Sequence, residues 1–556
     1  MRYPGVSLIL WFSIVAKGDF IKVNDPSGVS YLGVRNTTSK QDVFYGIPFA
    51  QPPTGALRFK PPQPWAPTDG KTLINATTNE QPICIQSAPI TYDATVSEDC
   101  LYLSLWKPNN ITAKIPVMVF IYGGGFLNGS APAYPGDKIL GAAFRLDKPV
   151  VYLAMNYRLG IYGFPPGQQS ENAGALNLGL KDQRLALEWV NKNIELFGGD
   201  PTKSSIDAEW ISIKASGIPV NFARSVNEFE HSYTALPASY PPRQAAYEFI
   251  ANATGCANDD FECLRNADAE TLKQANYDVF KLPSNLVSLD PYPTAVGPTL
   301  SSGDPFLSRP PRQTIHEGKF AKVPFVCGTN LDEGTLFTTN PNTTQEVVSF
   351  LTTQLPGLTF GITNTSIVDQ LLNYYPEDPG AGSPYNTGNN TFGKAAQYKR
   401  AASVIGDLIF EVPTKGLPTS RAKAGHSIVV RVSLPTWGEP NLIAARSYQF
   451  AQTGLAPDSP ELGVPHASEI LFVVQYLPEE PESHVELGID IIDYWISLAY
   501  NLNPSATGNP SREYLELPAA YGAAAVSLKL EAANTTVIQD NYRGDGIDFI
   551  QSNILT

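Results

Sequence analysis

The sequence predicts an α/β chain built on a large, mostly parallel central sheet flanked by helices. Three observations predict it. Ile115–Tyr122 (IPVMVFIY) and Val150–Met155 (VVYLAM) are near-continuous apolar runs, the pattern of strands covered on both faces. Leu180–Phe197 follows with helical spacing, Leu180, Leu187, Val190, Ile194 and Phe197 sharing one broad face. Finally, the chain has 556 residues, is 43% hydrophobic and 17% charged, and spreads its aromatic residues from end to end, which supports a large core and excludes extended disorder.

The elements follow in chain order. Arg2 and the apolar run Val6–Ala16, ending on Ala16-Lys17-Gly18, read as a secretory signal peptide over residues 1–18, because the run is too short to span a bilayer. Residues 19–556 then form one domain with loop insertions, without internal repeats or low-complexity linkers. Gly198-Gly199-Asp200-Pro201 stops the Leu180–Phe197 helix sharply. Val323–Cys327 and Ile428–Val432 are expected as short β-branched strands, and Leu487–Leu502 as a further helix. No later apolar stretch is long enough for a transmembrane segment.

Export fits two further patterns. Nine sequons, at Asn36, Asn75, Asn110, Asn128, Asn252, Asn342, Asn364, Asn389 and Asn534, are expected glycosylation sites. Among five cysteines, Cys84 with Cys100 and Cys256 with Cys263 bracket short polar loops and are expected as disulfides, leaving Cys327 as a buried thiol. Cys and His show no metal-ligand spacing, and no metal or organic cofactor is implied. A net charge of −14 and a pI near 4.9 repel polyanions, so nucleic acid is excluded as a partner.

The chemistry begins at Tyr122-Gly-Gly-Gly-Phe126. A strand running into three glycines presents successive backbone N–H groups that a ligand oxygen can approach closely. Around it stand Tyr45-Gly-Ile-Pro-Phe-Ala50, Glu98-Asp-Cys-Leu-Tyr-Leu103, Asn156-Tyr-Arg-Leu-Gly160, Phe197-Gly-Gly-Asp-Pro201, Asp332-Glu-Gly-Thr335, Gly463-Val-Pro-His466 with Glu469-Ile470, and Asp540-Asn-Tyr-Arg543. This ordered series resembles the type-B carboxylesterase/lipase family, which includes cholinesterases and extracellular fungal lipases, from about Ile21 to Phe549. The resemblance implies an α/β-hydrolase fold and a secreted carboxylic ester hydrolase working through a serine acyl-enzyme on small-molecule or lipid esters. By the same resemblance Glu333 is the triad acid, His466 the general base, and Gly124 and Gly125 oxyanion-hole donors. Arg58 with Glu98, and Arg158 with Asp182, match the family's buried salt bridges.

One motif is missing. The family follows Gly-Gly-Asp-Pro with a strand and a Gly-Glu-Ser-Ala-Gly elbow; here Pro201-Thr-Lys203 leads into unrelated sequence until about Pro241. No serine in the chain has glycine at both i±2 positions, and at Ser216 those positions hold Lys214 and Ile218. The sheet is therefore expected to be disrupted around residues 204–240, and the chain to be inactive or the product of a gene-structure error. The alternative is a non-catalytic binding or adhesion protein like the cholinesterase-like adhesion proteins. The loop between Cys84 and Cys100, short and largely polar, favours soluble esters over an oil–water interface.

Overall fold

The computed structural model describes residues 19–554 apart from 68–71, 88–93, 209–221, 228–234, 283–294, 305, 312–324, 355–361, 363, 413–430, 433–440, 443–444, 476, 478–480, 506–507, 509–513, 516–525 and 533. The expected signal peptide and Ser216 thus lie outside the described residues.

A thirteen-stranded mixed sheet organises the chain. Its strands are β1 (Asp19–Asn24), β2 (Val29–Asn36), β3 (Gln41–Pro48), β4 (Tyr102–Pro108), β5 (Ile115–Ile121), β6 (Val151–Met155), β7 (Gly199–Ala208), β8 (Phe222–Asn227), β9 (Phe325–Asn330), β10 (Ala445–Phe450), β11 (Val526–Leu530) and β12 (Thr536–Gln539), with Thr72–Asn75 paired to β2. The order is β1-β2-β3-β4-β6-β5-β7-β8-β9-β10-β11-β12. From β6 to β11 every pairing is parallel; the flanking pairings along the strand order are antiparallel, and Thr72–Asn75 runs parallel to β2. All seven residues of β5 and all five of β6 are buried, as their unbroken apolar runs require.

The expected interruption at 204–240 is corrected in one respect. β7 pairs with β5 and β8 pairs with β9, so the strand ladder runs unbroken through the middle of the sheet. Leaving that row of backbone groups unpaired would cost too much in a buried sheet. Between β7 and β8 stand only residues 209–221, close to the minimum for a parallel crossover.

Of the expected strand Ile428–Val432 the described part, Arg431–Val432, is a strand, and residues 428–430 lie outside the described residues. Arg431–Val432 forms a small pair with Asn441–Leu442, apart from the main sheet. The place beside β9 belongs to Ala445–Phe450 (ARSYQF). Its buried Arg446, Ser447 and Gln449 hide the apolar alternation.

Helix α1 (Leu178–Asn193) runs into a 3₁₀ turn over Ile194–Phe197 and stops at Gly198, whose φ of 86° closes the end. Leu187, Val190, Ile194 and Phe197 are wholly buried, each contributing about 1.5–3 kcal/mol by leaving water. Phe197 meets Tyr31 and Phe44 edge-on, at 5.4 and 5.0 Å between ring centres. The expected late helix is α2 (Glu482–Asn501).

Two buried, bidentate ion pairs brace the front of the sheet: Arg58 with Glu98 at 2.8 and 2.7 Å, and Arg158 with Asp182 at 2.8 and 2.7 Å. The spare guanidinium N–H groups donate to the carbonyls of Arg265 and Ala267 in the first case and of Lys60 in the second, so neither cation is left half-satisfied. Disulfides join Cys84 to Cys100 and Cys256 to Cys263, and Cys327 is a buried free thiol. All nine sequon asparagines are exposed. No described helix is long and apolar enough to cross a membrane.

Candidate active site

The candidate residues come from three strands that end on the same, carboxyl edge of the parallel sheet, where α/β folds place their sites. β5 leads into Gly123–Gly125, β9 into the 3₁₀ turn Glu333–Leu336, and β10 into the loop carrying His466.

The glycine turn is anchored from behind. Tyr122 and Tyr157 stack at 4.6 Å, the Tyr157 hydroxyl donates to the Tyr122 carbonyl, and the Tyr157 N–H donates to the Tyr122 hydroxyl. Beyond this lock, Gly124 (φ 106°), Gly125 (φ 65°) and Phe126 (φ 63°) form a positive-φ run. A side chain on Gly124 would bring its Cβ within 2.4 Å of the Asn128 carbonyl oxygen, so glycine is required there. Phe126 adopts the strained region at a cost; its ring is buried against Phe164 at 4.9 Å, and its carbonyl accepts from Gly160 N–H.

Sequence reading missed what holds this turn from the front. Gln86, two residues past Cys84, accepts from Gly129 N–H (2.7 Å) and donates to the Gly129 carbonyl (2.8 Å) and the Cys84 carbonyl (3.0 Å). Ser87 N–H donates to the Leu127 carbonyl at 2.9 Å, and the Ser87 hydroxyl donates to Asn128 Oδ1 at 3.0 Å. The disulfide loop therefore clamps the far end of the glycine turn.

Glu333 and His466, 133 residues apart in sequence, meet through Glu333 Oε2 and His466 Nδ1 at 2.8 Å. Both side chains are buried, 4% and 7% exposed, so the contact works in low dielectric. Asp332 brings the two segments together. Its N–H donates to the Val464 carbonyl (3.0 Å) while its carboxylate accepts from Val464 N–H (2.9 Å). Thr335 Oγ1 adds a bond to the Leu462 carbonyl at 2.8 Å. Gly463 is required at this crossing, where a Cβ would lie 2.3 Å from Asp332 Oδ2. Burial pushes the Asp332 carboxyl up, against the lowering effect of donors from Val464, Tyr385 and Ser383 and the nearby Arg543.

Glu333 Oε1 accepts from Asn330 N–H (2.5 Å) and Asn330 Nδ2 (3.2 Å), which fixes which oxygen faces the imidazole. Asn330 Nδ2 also donates to Glu469 Oε2 at 2.5 Å. The imidazole is walled by Phe337 and Phe410, at 5.5 and 5.1 Å between ring centres. Of these, only Glu469 had a sequence signal, its place three residues after His466. Asn330, Phe337 and Phe410 have none before the chain is folded.

A carboxylate on imidazole Nδ1 orients the ring and stabilises its protonated form, leaving Nε2 to take a proton from a nucleophile. Ser204 and Ser205, the described serines of β7, are committed elsewhere: Ser205 donates to the Val117 carbonyl and Ser204 to the Pro201 carbonyl. Among the described residues no His/Cys/Asp/Glu group could hold a metal ion.

The model of the Carboxylesterase family matches residues 30–541. Secreted lipase 1 of Botryotinia fuckeliana is 31% identical, over 92% of this chain and 90% of its own length. The chain belongs to the carboxylesterase family. The secreted triacylglycerol lipase LIP1 of Gibberella zeae is 30% identical to this carboxylesterase-family chain, over 96% of it and 90% of the lipase. Among solved structures, Aspergillus niger EstA superimposes with a TM-score of 0.76 at 25% identity, covering 97% of this chain and 99% of its own. The carboxylesterase-family chain thus has the α/β-hydrolase fold of the esterases.

Proposed function

We propose that this protein is a secreted carboxylic ester hydrolase by design, with Glu333 as triad acid, His466 as general base and Gly124 and Gly125 as oxyanion donors, in a chain that lacks the acylating serine. The observation that carries the reading is the buried Glu333–His466 hydrogen bond, aligned by Asn330 and enclosed by two aromatic rings. A protein that only binds has no use for so constrained an acid–base pair. In the complete mechanism His466 removes the proton of a serine as it attacks the ester carbonyl, and the glycine N–H groups hold the oxyanion. His466 then activates water against the acyl-enzyme. As the chain stands, the nucleophile is missing and acyl transfer stops at its first step.

Export rests on the N-terminal apolar run, the exposed sequons, the two disulfides and the names of the secreted relatives. The short, polar Cys84–Cys100 loop favours soluble esters. The second reading, a non-catalytic binding protein, draws on the absence of Gly-x-Ser-x-Gly. Sequencing the transcript across codons 200–245 separates the two. A coding segment for Gly-x-Ser-x-Gly there would restore the hydrolase in full. Confirmation of the present sequence, together with no ester turnover above that of a His466→Ala variant, would establish a protein that does not catalyse.

A further inference from the structure

Of the nine sequons, Asn128-Gly-Ser130 alone lies in the turn that carries Gly124 and Gly125. Asn128 is exposed, its N–H donates to the Gly124 carbonyl at 3.1 Å, and its Oδ1 accepts from the Ser87 hydroxyl at 3.0 Å. The side chain therefore stands on the seam where the Cys84–Cys100 loop meets the glycine turn. Its carbonyl oxygen is engaged in that seam, and the sequon nitrogen is the atom a glycan would use. An N-linked sugar keeps the amide oxygen as an acceptor, so the modification and the Ser87 bond are compatible.

We infer that Asn128 carries an N-linked glycan that keeps the rim of the site hydrated and off lipid surfaces. The step joins Asn128 Nδ2 to C1 of an N-acetylglucosamine from a polyprenyl-diphosphate oligosaccharide. The C1–O bond to the diphosphate breaks, the diphosphate leaves with the electron pair, and the amide gives up one proton. The tight Gly124–Asn128 turn and the Gln86 and Ser87 clamps fix the sugar's stem beside the glycine turn. Seating that turn on an oil–water interface would require dehydrating that sugar, which opposes adsorption. The glycan thus adds a steric and hydration barrier to the preference for soluble esters. The inference rests on the export proposed above, and none of its tests needs ester turnover.

Protein secreted from a eukaryotic host is treated with N-glycosidase in ¹⁸O-water, and the peptide containing Asn128 is read by mass spectrometry. The expected result is conversion of Asn128 to ¹⁸O-labelled aspartate. If the other sequons are labelled and Asn128 is not, this inference falls alone; if none is labelled, the glycosylation expected at all nine sequons falls with it. In a second measurement, native protein, Asn128→Asp and Ser130→Ala are partitioned onto a triolein emulsion, with Asn75→Asp as control. Asn128→Asp retains the acceptor for Ser87, so the seam survives. Both rim variants should adsorb several-fold more than native protein and the control, and equal adsorption of all four would overturn the role of the sugar.

Discussion

Glu469 is a carboxylate 1% exposed to solvent, with Asn330 Nδ2 on one oxygen and, among the described residues, no hydrogen bond on the other. A buried group so thinly supported costs stability, and such costs collect where function needs them. Glu469→Gln keeps the shape and an acceptor for Asn330 and removes the charge, so it should stabilise the fold by about 1 kcal/mol or more. Urea unfolding at pH 7 checks this through a higher midpoint at unchanged slope; a lower midpoint would mean that the carboxylate has support beyond Asn330. Asp490 offers a pH-dependent counterpart. Burial, then Asp493, raise its carboxyl to about 6, with Arg145 opposing. A folded-state value above the unfolded one gives stability that is full below about pH 4 and lost as pH rises through 6. Asp490→Asn should therefore raise the thermal midpoint at pH 8, with the gain fading by pH 4. A gain of equal size at both pH values would contradict the assignment.

At the scale of elements, the sequence made visible whatever is carried by local pattern. Ile115–Ile121 and Val151–Met155 were legible because both faces are buried, so their apolar runs are unbroken. Ala445–Phe450 was not, because its polar residues are satisfied inside the sheet, as Ser447 Oγ is by Ser527 Oγ at 3.1 Å. Glu333 and His466 were legible through the motifs around them. The clamp from Gln86 and Ser87 was not, since it appears only when the disulfide loop folds over the glycine turn. Closing that loop by Cys84–Cys100 is worth about 3 kcal/mol. Gln86→Ala should leave the global unfolding midpoint little changed while speeding amide exchange at Leu127 and Gly129 by tenfold or more, corresponding to about 1.4 kcal/mol of local protection. Unchanged exchange at those two amides would show that the clamp does not restrain the turn.

At the scale of the molecule, the unbroken run β6-β5-β7-β8-β9-β10-β11 keeps the Glu333, His466 and glycine segments on one sheet edge although residues 204–240 depart from the family pattern. Position in the sheet is thus preserved by strand pairing, which tolerates many sequences, whereas an elbow tolerates only a narrow set of residues. The buried ion pairs hold the rest. Asp182→Asn leaves Arg158 buried without its counter-charge and should cost about 3–5 kcal/mol, with a loss below 1 kcal/mol in chemical denaturation arguing that the pair is dispensable. The central proposal concerns the nucleophile: Glu333, His466 and the glycine turn serve as acid, base and oxyanion donors in a chain with no serine that accepts an acyl group. Reaction of the purified protein with a fluorophosphonate probe, followed by peptide mapping, tests it most directly. The account predicts no labelled serine under conditions that fully label an intact relative. A stoichiometric adduct on any serine, Ser216 foremost, would contradict it.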